Sequence, residues 1–185
     1  KRDSIYEPFD PSRGPLAPYL DQVEINCPQK VKYLELKPDN ELYEKGHGGY
    51  GYNLVYIGSR IWHTGLLEPD TSNSIRLNMI SKPQETLMFA DTAMADRVKS
   101  REALIRYSFA EPRYWIVFGE PSSAQDPPPS IHFRHRKRAC VGWADGHADN
   151  RKTAGYNGLN DDNTRPINYN IGWFEPMYNS LFDLE

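Results

Sequence analysis

The residues best equipped for chemistry lie between Arg134 and Lys152, in RHRKRACVGWADGHADNRK. There His135, Asp145 and His147 stand beside the cationic run Arg134–Arg138 and a short apolar core. Neutral imidazoles and a carboxylate are ligands that suit zinc, so these three could form a metal site. The competing reading is a hairpin brace, with His135 hydrogen-bonding turn groups or Asp145. Zinc would need a fourth ligand and a supporting shell that the sequence does not announce, so the brace is preferred. On that reading His135→Ala lowers thermal stability and releases no metal. The cations read as a solvated loop, because nucleic-acid surfaces carry wider basic stripes and this chain has a formal net charge of −3.

Other catalytic patterns are missing. There is no GxSxG, HExxH, SxxK or phosphate-loop signature. GHGGYGYN, Gly46–Asn53, is glycine-rich but lacks the lysine and hydroxyl of a phosphate cradle. It also precedes an apolar run rather than leading from one into a helix. It reads as a tight turn that delivers Tyr50 and Tyr52 to a surface. The two cysteines, Cys27 and Cys140, contain no CxxC. They could close one loop, worth roughly 3–5 kcal/mol if unstrained, but two separate thiols fit cysteine burial habits better. Cys140 falls in a predicted strand, where an inert thiol is expected. The chain therefore reads as non-catalytic.

These residues must be positioned by short elements. The 185 residues suit one domain spanning 1–185 with a real core. Fifteen prolines and thirteen glycines call for many turns, and twelve tyrosines argue against disorder. No apolar helical period persists beyond two turns. Ser12 is a candidate cap for a helical turn around Leu16–Leu20. Strands are predicted at Leu54–Gly58, Glu85–Asp91, Arg113–Gly119 and Cys140–Asp145, each rich in β-branched or aromatic residues. Arg97–Phe109 suits a short helix or a strand. SSAQDPPPS, Ser122–Ser130, reads as an exposed loop, since its prolines cannot join a central ladder. Asp145-Gly146 marks a two-residue type I′ hairpin turn, with both residues at positive φ. Val141 and Trp143 then share one face, with Cys140, Gly142 and Ala144 on the other. No stretch approaches the ~18 apolar residues of a membrane span. The chain starts at Lys1 without methionine, and loss of an upstream segment is expected.

His135, nine intervening residues, then Asp145-Gly146 resembles the H-x9-DG motif of the prepilin-type processing-associated family, which is pseudopilin-like. Other pieces fall in that family's order: GPLAPYLDQVEINCPQ (Gly14–Gln29), GGYGYN (Gly48–Asn53), ISKPQETLMFADTA (Ile80–Ala93) and HRKRACVGWADGHAD (His135–Asp149). Gln29-Lys30 departs from the usual acidic end of the first. The resemblance implies an α+β pilin-like head on an antiparallel β-sheet with long loops. It also implies an N-terminal transmembrane helix, absent from this sequence, and a leader cut by a prepilin peptidase.

By the same resemblance the chain is a structural subunit of a type IV pilus-like or type II secretion pseudopilus-like assembly. Its partners are other pilin or pseudopilin subunits, the peptidase and the inner membrane, with no nucleic acid. Its location is extracytoplasmic, at the periplasm or cell surface. Major pseudopilins hold calcium in a C-terminal loop, and NGLNDDNTRP (Asn157–Pro166) supplies the hard oxygen ligands of Asp161 and Asp162. An Asx-rich loop without metal is the preferred reading there. WFEPMYNSLFDLE (Trp173–Glu185) is expected to fold back on the sheet or touch a neighbour. The rival reading is a carbohydrate- or polymer-binding module that uses Trp62, Trp115 or Trp173 as stacking surfaces.

Overall fold

A computed structural model describes residues 27–29, 31–34, 49–65, 70, 72–98, 100–117, 120–122, 127–160 and 163–185. Ten strands are described: β1 (Tyr50–Tyr52), β2 (Leu87–Asp91), β3 (Met94–Val98), β4 (Arg101–Ile105), β5 (Trp115–Val117), β6 (Glu120–Ser122), β7 (Ile131–His132), β8 (Arg138–Trp143), β9 (Ala148–Gly155) and β10 (Ile171–Phe174). Six form an antiparallel sheet in the order β1-β2-β8-β9-β10-β7, while β3-β4 and β5-β6 are separate hairpins. An isolated bridge between Thr92 and Ile131 returns the β7 edge to the end of β2, so the sheet curls into a half-barrel. Register shifts in β2 (Leu87/Phe89) and at the β9–β10 pairing (Trp173/Phe174) supply local bends.

The core occupies the inside of that curl. Along β8 burial alternates, with Ala139, Val141 and Trp143 buried and Arg138, Cys140 and Gly142 half-buried. The period of two read from the sequence is thus borne out for Val141 and Trp143. Leu87, Ile131, Phe133, Ile116 and Phe174 fill the same cluster. Phe133 and Phe174 meet edge to face, with centroids 5.5 Å apart.

The expected antiparallel sheet is present, but the fold is mostly β. Among the described residues the only α-helical element is α1 (Ile61–Thr64). None of their helices is long and apolar enough to cross a membrane. The helical turn expected at Leu16–Leu20 lies outside the described residues.

Several local expectations are corrected. Leu54–Gly58 is a turn of wide helix and not a strand. Asn53 stops the chain extending past β1: its side chain accepts the Tyr56 N–H, and its carbonyl accepts from Ile57 and Gly58. The ambiguous region 97–109 contributes β4, paired residue by residue with β3. Ser122–Ser130 is not a wholly exposed loop, since Pro127, Pro129 and Ser130 are buried. Proline rings carry no N–H to satisfy, and Ser130 Oγ accepts the Glu111 N–H as the chain dives toward β7.

The β8–β9 turn also differs. Trp143 N–H bonds the His147 carbonyl, and Gly146 N–H bonds the Trp143 carbonyl. The loop therefore has three residues, with Gly146 at φ +94° and Asp145 outside the positive-φ region. This is a turn followed by a glycine bulge, the alternative three-residue solution for a hairpin. It leaves the Ala144 and Asp145 N–H groups free to bond the Thr86 and Pro83 carbonyls, fastening the turn to the segment before β2.

The C-terminal segment folds back, as its apolar content suggested. Phe182 and Leu184 are buried, and the Leu184, Asp183 and Phe182 carbonyls accept from Ser81 N–H, Thr86 Oγ1 and Asn53 Nδ2.

Candidate functional site

The polar centre of the molecule is Asp91 at the end of β2. Ala90 and Asp91 follow each other in register and point to opposite faces, yet both are buried: Ala90 pairs with Val141 in the core, and Asp91 lies on the other face beside Cys140, covered by Arg134. Asp91 is fully enclosed and pairs with Arg134, whose side chain is 2% exposed, at 2.5 Å. Arg134 Nε and one terminal nitrogen donate to Asp91 Oδ1. The remaining N–H groups face Tyr33 Oη at 2.5 Å, the Gly49 carbonyl and His132 Nδ1 at 3.5 Å. All five guanidinium hydrogens thus have an acceptor, and the Tyr50 ring lies 5.8 Å from the cation. Burial works to lower the Arg134 pKa, but the Asp91 carboxylate and Tyr33 raise it above its ordinary value. A buried pair with every donor matched is the arrangement in which such a bridge withstands its desolvation cost.

The second carboxylate oxygen turns the other way. Asp91 Oδ2 accepts the Cys140 N–H at 2.7 Å and lies 3.2 Å from His135 Nε2. The same Nε2 lies 3.5 Å from Cys27 Sγ. A thiol, an imidazole and a carboxylate suggest a nucleophilic triad, but a relay uses the two ring nitrogens for different partners. Here one nitrogen faces both, so the three groups converge on a point instead of forming a chain.

This placement corrects the sequence reading of His135. Its side chain does not reach the Asp145-Gly146 turn. The turn lies at the far end of β8, about 20 Å away at ~3.3 Å per residue. The zinc set His135–Asp145–His147 is therefore not assembled. The histidine that braces the hairpin end is His147: its Nδ1 lies 2.6 Å from Asp145 Oδ1, which also accepts the His147 N–H at 3.1 Å. Those bonds from His147, backbone first, hold the Asp145 carboxyl below the usual carboxylate range. The His147 ring also stacks on Trp143 at 5.7 Å. Asp161 and Asp162 lie outside the described residues.

The structure brings together segments that lie far apart in the sequence. Cys27 comes from EINCPQ, Gly49 and Tyr50 from GGYGYN, Asp91 from ETLMFAD and His135 from the H-x9-DG stretch, and all meet around Arg134. Reading by spacing missed Asp91 and Arg134. The one available signal was Asp91 at the end of an apolar strand, which looks identical to an ordinary strand exit.

Both cysteines are free and half-buried. Burial, with the Asp91 charge, pushes the Cys140 thiol up to about 11, consistent with an unreactive thiol. Of the aromatic stacking candidates, Trp173 is buried and Trp115 donates to Glu111 at 3.2 Å. Trp62 lines a cavity of about 350 Å³ together with Tyr56, His63, Ile116, Glu120 and Asp183. No family model matches the chain, and neither a curated protein nor a solved structure matches it.

Proposed function

We propose that the chain is the extracytoplasmic head of a non-catalytic, pilin- or pseudopilin-like subunit. The observation that carries the reading is the convergence at Arg134 and Asp91: segments that resemble the processing-associated family in sequence order tie into one buried joint. That joint is built for rigidity. Its donors are matched and its carboxylate is enclosed, and the imidazole nitrogen that faces Cys27 also faces Asp91. Such a head sets surface contacts, while an apolar N-terminal helix in the full gene product drives membrane anchoring and packing between subunits. The reading brings with it a prepilin peptidase and other pilin-like subunits as partners.

The test is made in the source cell with the full-length gene product. Surface filaments or an envelope assembly should contain the protein, and deleting the prepilin peptidase should leave the precursor uncut and unassembled. Recovery of the protein as a freely secreted monomer would overturn the reading. One observation favours a rival: the cavity lined by Trp62, Glu120 and Asp183 offers an aromatic face beside carboxylates, a combination suited to sugars. Saturable glycan binding that is lost in Trp62→Ala would support a polymer-binding module.

A further inference from the structure

From the convergence of three unlike ligand groups on one point, we propose that Cys27, Asp91 and His135 bind a single zinc-type divalent cation. Cys27 Sγ, Asp91 Oδ2 and His135 Nε2 are the converging atoms, and these potential ligand atoms all lie within 4.8 Å of one another. The measured separations suit the ion. Tetrahedral zinc with ordinary bond lengths sets sulfur and nitrogen ligands about 3.5 Å apart and nitrogen and oxygen ligands about 3.3 Å apart. The structure has 3.5 Å from Cys27 to His135 and 3.2 Å from His135 to Asp91.

The surroundings have the form of a supporting shell. Arg134 holds Asp91 Oδ1, which leaves Oδ2 to coordinate through one oxygen, and the Cys140 N–H fixes that oxygen from β8. Asp91 is enclosed, while His135 is 26% exposed and Cys27 is half-buried, so an ion can enter from the outer face of the sheet. On binding, the Cys27 thiol releases its proton to solvent, and water takes the fourth position. Thiolate and imidazole select a borderline-soft cation over calcium or magnesium. The set shares only His135 with the metal candidates read from sequence, and it departs from the expectation that His135 works without a metal. It does not depend on the assembly reading above.

The experiment is a titration of the chelator-stripped chain with Zn²⁺ alone, against a chromophoric chelator, followed by Co²⁺ substitution. The expected result is one equivalent bound with Kd below about 1 μM. A thiolate-to-cobalt charge-transfer band should appear, and excess Ca²⁺ should not displace the ion. Cys27→Ser should remove the band and weaken zinc binding about 100-fold or more, as should His135→Ala, while Cys140→Ser should stay within about 3-fold of wild type. Circular dichroism of Cys27→Ser checks that the fold survives. Asp91→Asn is not relied on, because it also strands Arg134. Three outcomes would overturn the proposal: no binding at about 10 μM Zn²⁺, binding that survives Cys27→Ser in a folded chain, or a cobalt complex without the thiolate band.

Discussion

Replacing Asn53 by alanine should be among the most damaging single changes to this fold. Asn53 is fully buried. Its Nδ2 donates to the Leu87 carbonyl at 2.9 Å and the Phe182 carbonyl at 2.8 Å, and its Oδ1 accepts the Tyr56 N–H at 3.3 Å. One side chain thus joins β2, the wide turn after β1 and the C-terminal segment. A net hydrogen bond contributes about 1 kcal/mol, and a buried group left unpaired costs about 1–3 kcal/mol. Three lost bonds therefore sum to about 3–5 kcal/mol, a large part of the about 5–15 kcal/mol that holds an ordinary domain together.

Equilibrium urea unfolding is the assay. With a slope of about 2 kcal/mol/M the midpoint should fall by about 2 M, at unchanged slope. Limited proteolysis should open residues 175–185 first, since the Phe182 tether is lost. Asn53→Asp should fare no better at neutral pH, because it places a carboxylate against two carbonyls. It should recover partly on acidification, as protonation restores one donor. A loss below about 1 kcal/mol in Asn53→Ala would refute the reasoning.

Two further outcomes are expected. His132 is buried, and that burial, with the charges of Arg134 and His135, lowers its pKa from 6.5 to about 3. The unfolded chain therefore takes up a proton below pH 6.5 that the native chain refuses, and stability falls as pH drops from 6.5 toward 3. The loss is about 1.4 kcal/mol per pH unit, or about 3 kcal/mol by pH 4.5. Glu111, whose pKa burial raises, acts with the opposite sign above pH 4.5. The test is therefore the difference between wild type and His132→Gln in urea unfolding at several pH values. A difference independent of pH between 6.5 and 4.5 would contradict it. Gly146→Ala should cost about 1–2 kcal/mol although nothing lies within 4 Å of the added methyl, because φ is +94°. Gly142→Ala, whose nearest neighbour would be Phe89 Cβ at 3.9 Å, should change the urea midpoint little by comparison.

Local sequence rules carried the β8–β9 hairpin well. The alternation of Ala139, Val141 and Trp143 is a property of neighbouring residues, and Asp145-Gly146 marks a turn whatever surrounds it. The type of turn was not local. The Ala144 and Asp145 N–H groups bond carbonyls more than fifty residues earlier, and that fastening accompanies the three-residue loop in place of two. Leu54–Gly58 misled for a related reason. Short apolar runs read as strand or helix equally well, and the buried Asn53 side chain decided for the turn.

By itself the sequence determined a turn-rich chain with short strands, the inward faces of β8 and an apolar C-terminal segment able to fold back. These follow from side-chain period, turn chemistry and hydrophobic content. Only the tertiary structure decided what His135 does. Its partners, Asp91 and Cys27, lie 44 and 108 residues away, and no spacing rule links them to it. The curl of the sheet brings them together, and the buried Arg134 orients the carboxylate they share. Contacts that distant arise from packing, which has no period to read.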